Sequence, residues 1–185
     1  MGTDAELLAR ADQYCNSKGT KVIRQPILGH GSDGAVWQTD RNTAVKVLAR
    51  ERNFNAELEC YLRLKEHNIR DMEGFAIPFL VGYDETLWVI EMPIVRPPYL
   101  LDFGKVYLDT PPPYHDDQQL LAHAYQEWQV RFGCDWPQVA SLLKTLETRF
   151  GIYYVDPRPS NICTGNEDNS DDWMREMPPP PVEDE

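Results

Sequence analysis

The sequence predicts an α+β chain. Apolar residues recur with strand-like spacing through three successive runs near the N-terminus, take helical spacing over 51–67, return to two strand-like runs, and close in two amphipathic helices. A length of 185 residues suits one domain, or one domain with a tail. The 42% apolar and 11% aromatic fractions belong to a chain with a packed core, so fibrous and wholly disordered classes are excluded.

Each element has its own signal. Asp4 is placed to cap a helix through residues 5–11, where Leu7, Leu8 and Ala11 form a short packing stripe. Val22, Ile23, Ile27 and Leu28, then Ala35-Val36-Trp37, then Thr43 to Leu48, predict three antiparallel strands separated by a glycine-rich turn and by Asp40-Arg41-Asn42. Over 51–67, Phe54, Leu58, Tyr61, Leu62 and Leu64 fall on one side of a helix with charges opposite. Residues 79–83 and 87–92 predict two more strands joined at Asp84-Glu85-Thr86. Residues 93–117 carry Pro93, Pro97, Pro98 and Pro111-Pro112-Pro113, which predicts an irregular connection over the surface. Two helices follow at 118–131 and 137–150, the second with Val139, Leu142, Leu143 and Leu146 at core spacing and Gly151 as its stop.

The formal net charge is −12. An acidic chain is a poor partner for a nucleic-acid backbone or an anionic bilayer, and neither is expected. Much of this charge is local: residues 166–185 hold eight acids and one Arg, and with Pro178-Pro179-Pro180-Pro181 they predict a disordered acidic tail. The start Met1-Gly2-Thr3-Asp4-Ala5-Glu6 has no basic n-region, and no stretch approaches about 18 uninterrupted apolar residues, so a cytoplasmic protein is expected. Cys15, Cys60, Cys134 and Cys163 lie far apart without a C-x-x-C pair, which reads as reduced thiols.

Three motifs carry chemistry. Gly29-His30-Gly31-Ser32-Asp33-Gly34-Ala35-Val36 fits G-x-G-x-x-G-x-V. Alone it more often marks a tight hairpin, but its place between two strands rather than before a helix suits a flap over phosphates. Thr43-Ala44-Val45-Lys46-Val47 sets one Lys in an apolar strand, and alternation puts Lys46 on the face of Ala44 and Leu48, expected to be the buried one. A half-buried ammonium needs a carboxylate, which Glu57 offers from the next helix, with Glu51 and Glu59 as competitors on the solvated side. The third motif is Asp156-Pro157-Arg158-Pro159-Ser160-Asn161-Ile162, an Asp and an Asn bridged by two prolines that stiffen the loop.

In that order, the glycine loop, strand Lys, helix Glu, two strands with a hinge, and D-x-x-P-x-N-I resemble the protein kinase-like superfamily over residues 20–165. The resemblance implies a five-stranded antiparallel N-lobe with one helix, over 20–92, and over 93–165 a hinge, the Pro-rich connection and a reduced helical C-lobe; residues 1–19, before it, are the N-terminal helix already read from its cap and stripe. It implies ATP and Mg2+ as cofactors. Gly29, Gly31 and Gly34 would cover the nucleotide phosphates, Val36 and Ala44 would join the nucleotide site, and Lys46, held by Glu57, would reach two phosphates. Glu91 and Met92 would belong to a hinge that binds the adenine edge through backbone groups. Asp156 would orient or deprotonate an acceptor hydroxyl, Arg158 would neutralise phosphate charge, and Asn161 would hold magnesium with Asp172.

Departures from the pattern shape the functional expectation. Asp102-Phe103-Gly104 precedes Asp156, the reverse of the family order, and reads as coincidence; Asp171-Asp172-Trp173 lies nearer the expected point. Val155 replaces the Arg that often precedes the catalytic Asp. Asp33 puts a carboxylate in the glycine loop, where it repels phosphate unless it faces solvent or a metal. The expectation is an ATP-binding protein transferring phosphate to a small or partner-presented acceptor; the alternative is a catalytically inactive pseudokinase-like interaction module. A third reading, an α+β domain with accidental motif matches, requires Lys46 to lie far from Glu57 and Asp156.

Overall fold

The computed structural model describes residues 3–100, 103, 105–155 and 157–165. Helix α1 (Asp4–Ser17) opens on a capping box: the Thr3 hydroxyl accepts from the Glu6 amide, and the Glu6 carboxylate accepts from the Thr3 amide at 2.7 Å. The cap is therefore Thr3, one residue before the expected Asp4. The helix also runs past Ala11, because Tyr14 and Cys15 extend the stripe of Leu7 and Ala11 by another turn and are fully buried.

Strands β1 (Val22–Gly31), β2 (Gly34–Thr39) and β3 (Thr43–Leu48) lead into helix α2 (Glu51–Glu66). Two short strands, β4 (Asp71–Met72) and β5 (Phe75–Ala76), precede β6 (Gly82–Asp84) and β7 (Val89–Pro93). The main sheet has five antiparallel strands in the order β1-β2-β3-β7-β6. Strand β6 is shorter than the 79–83 expected for it, since Phe79 and Val81 stand 38% and 43% exposed with no sheet neighbour to cover them. Its turn is built by Asp84, whose Oδ1 accepts from the Thr86 amide and hydroxyl and from the Leu87 amide, so the carboxyl is held below its usual range chiefly by the Thr86 hydroxyl.

Both faces of the sheet are buried. Val45, Val47, Val89, Ala35 and Trp37 pack under α1, while Ala44, Leu48, Ile90 and Met92 face α2 and the helical half of the chain. Strand alternation alone marked one face as the buried one; the apolar stripe of α1 supplies the cover for the other. On the α1 side sits one polar knot: Tyr14 Oη donates to Glu91 Oε2 at 2.9 Å and Thr43 Oγ1 donates to Glu91 Oε1 at 2.6 Å. Burial, reinforced by the Glu91 carboxylate, raises the Tyr14 hydroxyl pKa above its ordinary value. Gly82 makes room for the knot, since a Cβ there would stand 2.5 Å from Tyr14 Oη.

The Pro-rich connection is not a surface strap. It forms β8 (Tyr99–Leu100) and β9 (Val106–Leu108), and Tyr99, Leu100 and Phe103 are buried. The prolines flank these short apolar runs rather than interrupt them, so the strands remain possible. Helices α3 (Gln118–Phe132) and α4 (Trp136–Phe150) follow, then β10 (Ile152–Tyr154) and β11 (Ile162–Cys163). β10 pairs with β9 and β11 with β8, both antiparallel. Gly151 ends α4 at φ +63°, and a Cβ there would meet Asp109 Oδ1 at 2.6 Å. On α2, Leu62 is exposed, while Phe54, Glu57, Leu58, Cys60, Tyr61 and Leu64 form the buried stripe. No helix among the described residues is long and apolar enough to cross a membrane; residues 166–185, the expected acidic tail, lie outside those described.

Gly34 has φ +153° and a Cβ there would lie 2.1 Å from the Val47 carbonyl oxygen, whereas a Cβ on Gly31 meets nothing within 4 Å. Gly34→Ala lowers stability by about 2–4 kcal/mol and Gly31→Ala by less than about 1 kcal/mol, read as urea midpoints; equal midpoints contradict the close approach of β2 and β3. Cys134 is the exposed cysteine, while Cys15, Cys60 and Cys163 are buried. Burial pushes the Cys15 thiol up to about 11 and raises Cys60 as well. Under native conditions a thiol reagent at mildly alkaline pH thus labels one cysteine rapidly, and mass mapping locates it at Cys134.

Candidate active site

Lys46 stands in the middle of β3, opposite Val36 on β2 and Ile90 on β7, so its stem is enclosed by neighbouring strands. Glu57 lies three residues after Phe54 and four before Tyr61, on the buried stripe of α2. The two meet: Lys46 Nζ donates to Glu57 Oε1 at 2.7 Å and to Oε2 at 2.8 Å, with the Glu57 side chain wholly inaccessible and Lys46 12% exposed. A carboxylate removed from water in this way is tolerable only with its partner in place. Glu51 and Glu59 stay out of this pairing; Glu59 is exposed in part and bonds Arg63 at 2.9 Å.

The glycine motif forms a two-residue hairpin turn, with Gly31 opposite Gly34 and Gly29 opposite Val36. Asp33, in that turn, does not present a bare carboxylate. Its Oδ1 accepts from Asn53 Nδ2 at 2.9 Å, its Oδ2 lies 3.3 Å from Lys105 Nζ, and its backbone carbonyl accepts from the Ala49 amide. The turn is therefore tied to the first turns of α2.

Between β10 and β11, Val155 and residues 157–161 are described, and the Pro-rich segment and α3 hold the side next to β10. The Val155 amide donates to the Lys105 carbonyl at 3.3 Å, Tyr114 Oη donates to the Tyr154 carbonyl at 3.1 Å, and Arg131 Nη1 donates to the Pro157 carbonyl at 2.9 Å. The amides of Asn161 and Ile162 both turn back to the Arg158 carbonyl. Beneath the loop, Phe103 is fully buried and lies edge-on to Tyr61 at 5.1 Å and tilted against Tyr154 at 5.9 Å. Asp156 and Asp172 lie outside the described residues, as do Asp102 and Gly104 beside Phe103.

These parts line one cleft of about 460 Å³. Leu28, Val36, Ala44, Met92, Ile94 and Tyr99 give it apolar walls, and Tyr61 lines it together with the Lys46–Glu57 pair. Of the residues singled out by sequence, Gly29, Gly31, Gly34, Val36, Ala44, Lys46, Glu57, Met92, Arg158 and Asn161 share this cleft. Glu91 does not line it: strand alternation sends its side chain to the α1 face, into the Tyr14 knot. Lys105 also lines the cleft and was missed. Its only local signal was a lone Lys before the apolar pair Val106 and Leu108; the pairing of β9 with β10, not composition, brings it here.

Among the described lining residues, three cations (Lys46, Lys105 and Arg158) face two carboxylates (Glu57 and Asp33), in a chain whose net charge is −12. The cleft is thus locally suited to an anion, and its other lining residues are largely apolar. Among the described residues no cluster of three His, Cys, Asp or Glu side chains is placed to hold a metal ion. Asn161 contributes a side-chain amide to the cleft, and its Oδ1 accepts from Ser160 Oγ at 3.2 Å.

The burial asymmetry of the ion pair gives a stability test. Lys46→Met strands a fully buried carboxylate and costs about 3–5 kcal/mol, while Glu57→Gln leaves an ammonium that still reaches the cleft and costs less, about 1–2 kcal/mol. Lys46→Met with Glu57→Leu restores most of the loss, since an apolar pair of similar volume replaces the ions. Chemical denaturation of the three variants checks the order; a double variant as unstable as Lys46→Met contradicts it.

No family model matches the chain, and no curated protein matches it. Among solved structures, the ternary complex of streptomycin, ATP and APH(2")-IIa is similar at 17% identity and a TM-score of 0.39, over 86% of this chain. This chain spans 43% of the length of that one.

Proposed function

We propose that the cleft binds ATP and that the chain transfers its terminal phosphoryl group to a small or partner-presented acceptor. The observation that carries this reading is the Lys46–Glu57 pair, 2.7 and 2.8 Å apart, on the wall of the cleft that the glycine turn and Asn161 also line. In this reading the cleft divides a sheet-bearing N-lobe over 20–92 from a reduced helical C-lobe over 93–165, and the chain is kinase-like.

The chemistry asks mostly for position and charge neutralisation. The apolar walls from Leu28, Val36, Ala44 and Met92 take the planar base, and backbone groups near Met92 and Ile94 meet its polar edge. Lys46 donates to phosphate oxygens, and Glu57 holds its ammonium in place. Gly31, with open space where a Cβ would stand, lets phosphate approach the hairpin backbone. The acceptor hydroxyl loses its proton to Asp156 as its oxygen bonds the terminal phosphorus and the bond from that phosphorus to the ADP oxygen breaks; Arg158 offsets charge on the transferred group. Magnesium would come as an ion carried largely by the phosphates and water, and the side-chain amide oxygen of Asn161 on the cleft wall would hold it from the protein side. When bound, it neutralises phosphate charge.

The test is thermal unfolding with ATP and magnesium. Ligand at a hundredfold excess over Kd stabilises by about 2.7 kcal/mol, a shift of several degrees in Tm. The wild type shows that shift, Lys46→Met/Glu57→Leu loses it, and Asn161→Ala loses its magnesium dependence. Turnover of ATP above background, abolished in Asp156→Asn, supports transfer. Binding that ignores magnesium, without turnover, favours the non-catalytic interaction module instead, and absence of any shift overturns the reading.

A further inference from the structure

Lys105 immediately precedes β9 and lines the cleft with the hairpin turn, and its ammonium lies 3.3 Å from Asp33 Oδ2. The pair differs in kind from Lys46–Glu57. Its side chains are 50% and 21% exposed, so water screens the attraction and little desolvation was spent in forming it. Asp33 is also held from its other oxygen by Asn53, so the carboxylate keeps a partner and its position if the Lys leaves. Lys105, by contrast, has a flexible stem anchored by backbone pairing, through the bond from the Val155 amide to its carbonyl. Among the cationic side chains on the cleft wall, Lys105 is paired at low cost with a residue of the glycine turn itself.

We propose that Lys105 is a phosphate-binding residue that Asp33 occupies when no ligand is bound. The Asp33 carboxylate stands where an anion satisfies Lys105, and a nucleoside triphosphate entering under the turn exchanges its phosphate oxygens for that carboxylate. The inference rests on the reading of the cleft as a nucleotide site. It also answers the carboxylate in the glycine turn: Asp33 competes with the ligand for one cation, so the cleft holds its cation in place while remaining weaker for phosphate than it would be without Asp33.

The exchange predicts opposite signs for the two partners. Titration calorimetry of ATP into the full chain is expected to show Asp33→Asn binding about three- to tenfold tighter and Lys105→Ala about three- to tenfold weaker, with adenosine binding all three proteins alike. A pair that merely latches the turn shifts both variants in the same direction, and that result overturns the proposal. So do wild-type ATP affinities in both variants. If the wild type binds ATP, and Lys46→Met/Glu57→Leu does not, that second outcome removes the role of Lys105 alone. A wild type that binds no ATP removes the nucleotide reading and the exchange together. Both side chains are partly exposed, so the variants fold, and their unfolding midpoints verify it.

Discussion

The buried Lys46–Glu57 pair is the constraint around which the cleft is organised. A carboxylate with no solvent access has one permitted arrangement, with its cation in hydrogen-bond reach, and that arrangement fixes α2 against the middle of the sheet. The same helix then sets the other parts. One turn before Glu57, Asn53 holds Asp33 and with it the hairpin; further along, Arg63 grips both oxygens of Asp109 at 2.7 and 2.6 Å and the Phe150 carbonyl at 3.0 Å. Helix α2 therefore reaches the glycine turn, the central strand and the junction of α4 with β10 through side chains within a few turns.

The opposite wall depends on the Pro-rich segment. β8 and β9 pair with β11 and β10, so Val155 and residues 157–161 lie between two strand ends that the segment fixes. Tyr114 and Arg131 then bond carbonyls on either side of position 156. Phe103 fills the space between this loop and Tyr61 of α2, which couples the two walls through packed aromatic rings. The loop is thus held by backbone pairing at its ends and by the core beneath it.

This division explains what could be read from the sequence. The three N-terminal strands, α2, α3 and α4 announce themselves by local period, and the Lys46–Glu57 pair follows because alternation and the helical stripe each point inward. The pairing of β9 with β10 joins residues more than forty positions apart, and strands of two or three residues leave no periodic signal to read. Proline density hid Tyr99, Leu100 and Phe103, whose burial comes from partners distant in sequence. Glycine spacing was visible but not its meaning: Gly34 is required by the approach of the Val47 carbonyl, while Gly31 has open space beside it. Glu91 belonged by position to the strand that lines the cleft, yet alternation turned its carboxylate to α1, where Tyr14 and Thr43 bond it.

Burial also separates the ion pairs by what they can do. Lys46–Glu57, with one partner inaccessible, had its desolvation cost met on folding; opening it strands a charge, so it behaves as a fixed strut. Arg63–Asp109 is bidentate and more exposed, and the grip keeps the Asp109 carboxyl below its usual range while joining elements that share no strand pairing. Lys105–Asp33 is partly exposed and made by a single contact between the two side chains, so another anion can replace Asp33 at Lys105. The cleft therefore combines one cation that cannot leave its carboxylate with another that can. A ligand carrying several negative charges gains from both: the first is in place before it arrives, and the second becomes available as it enters.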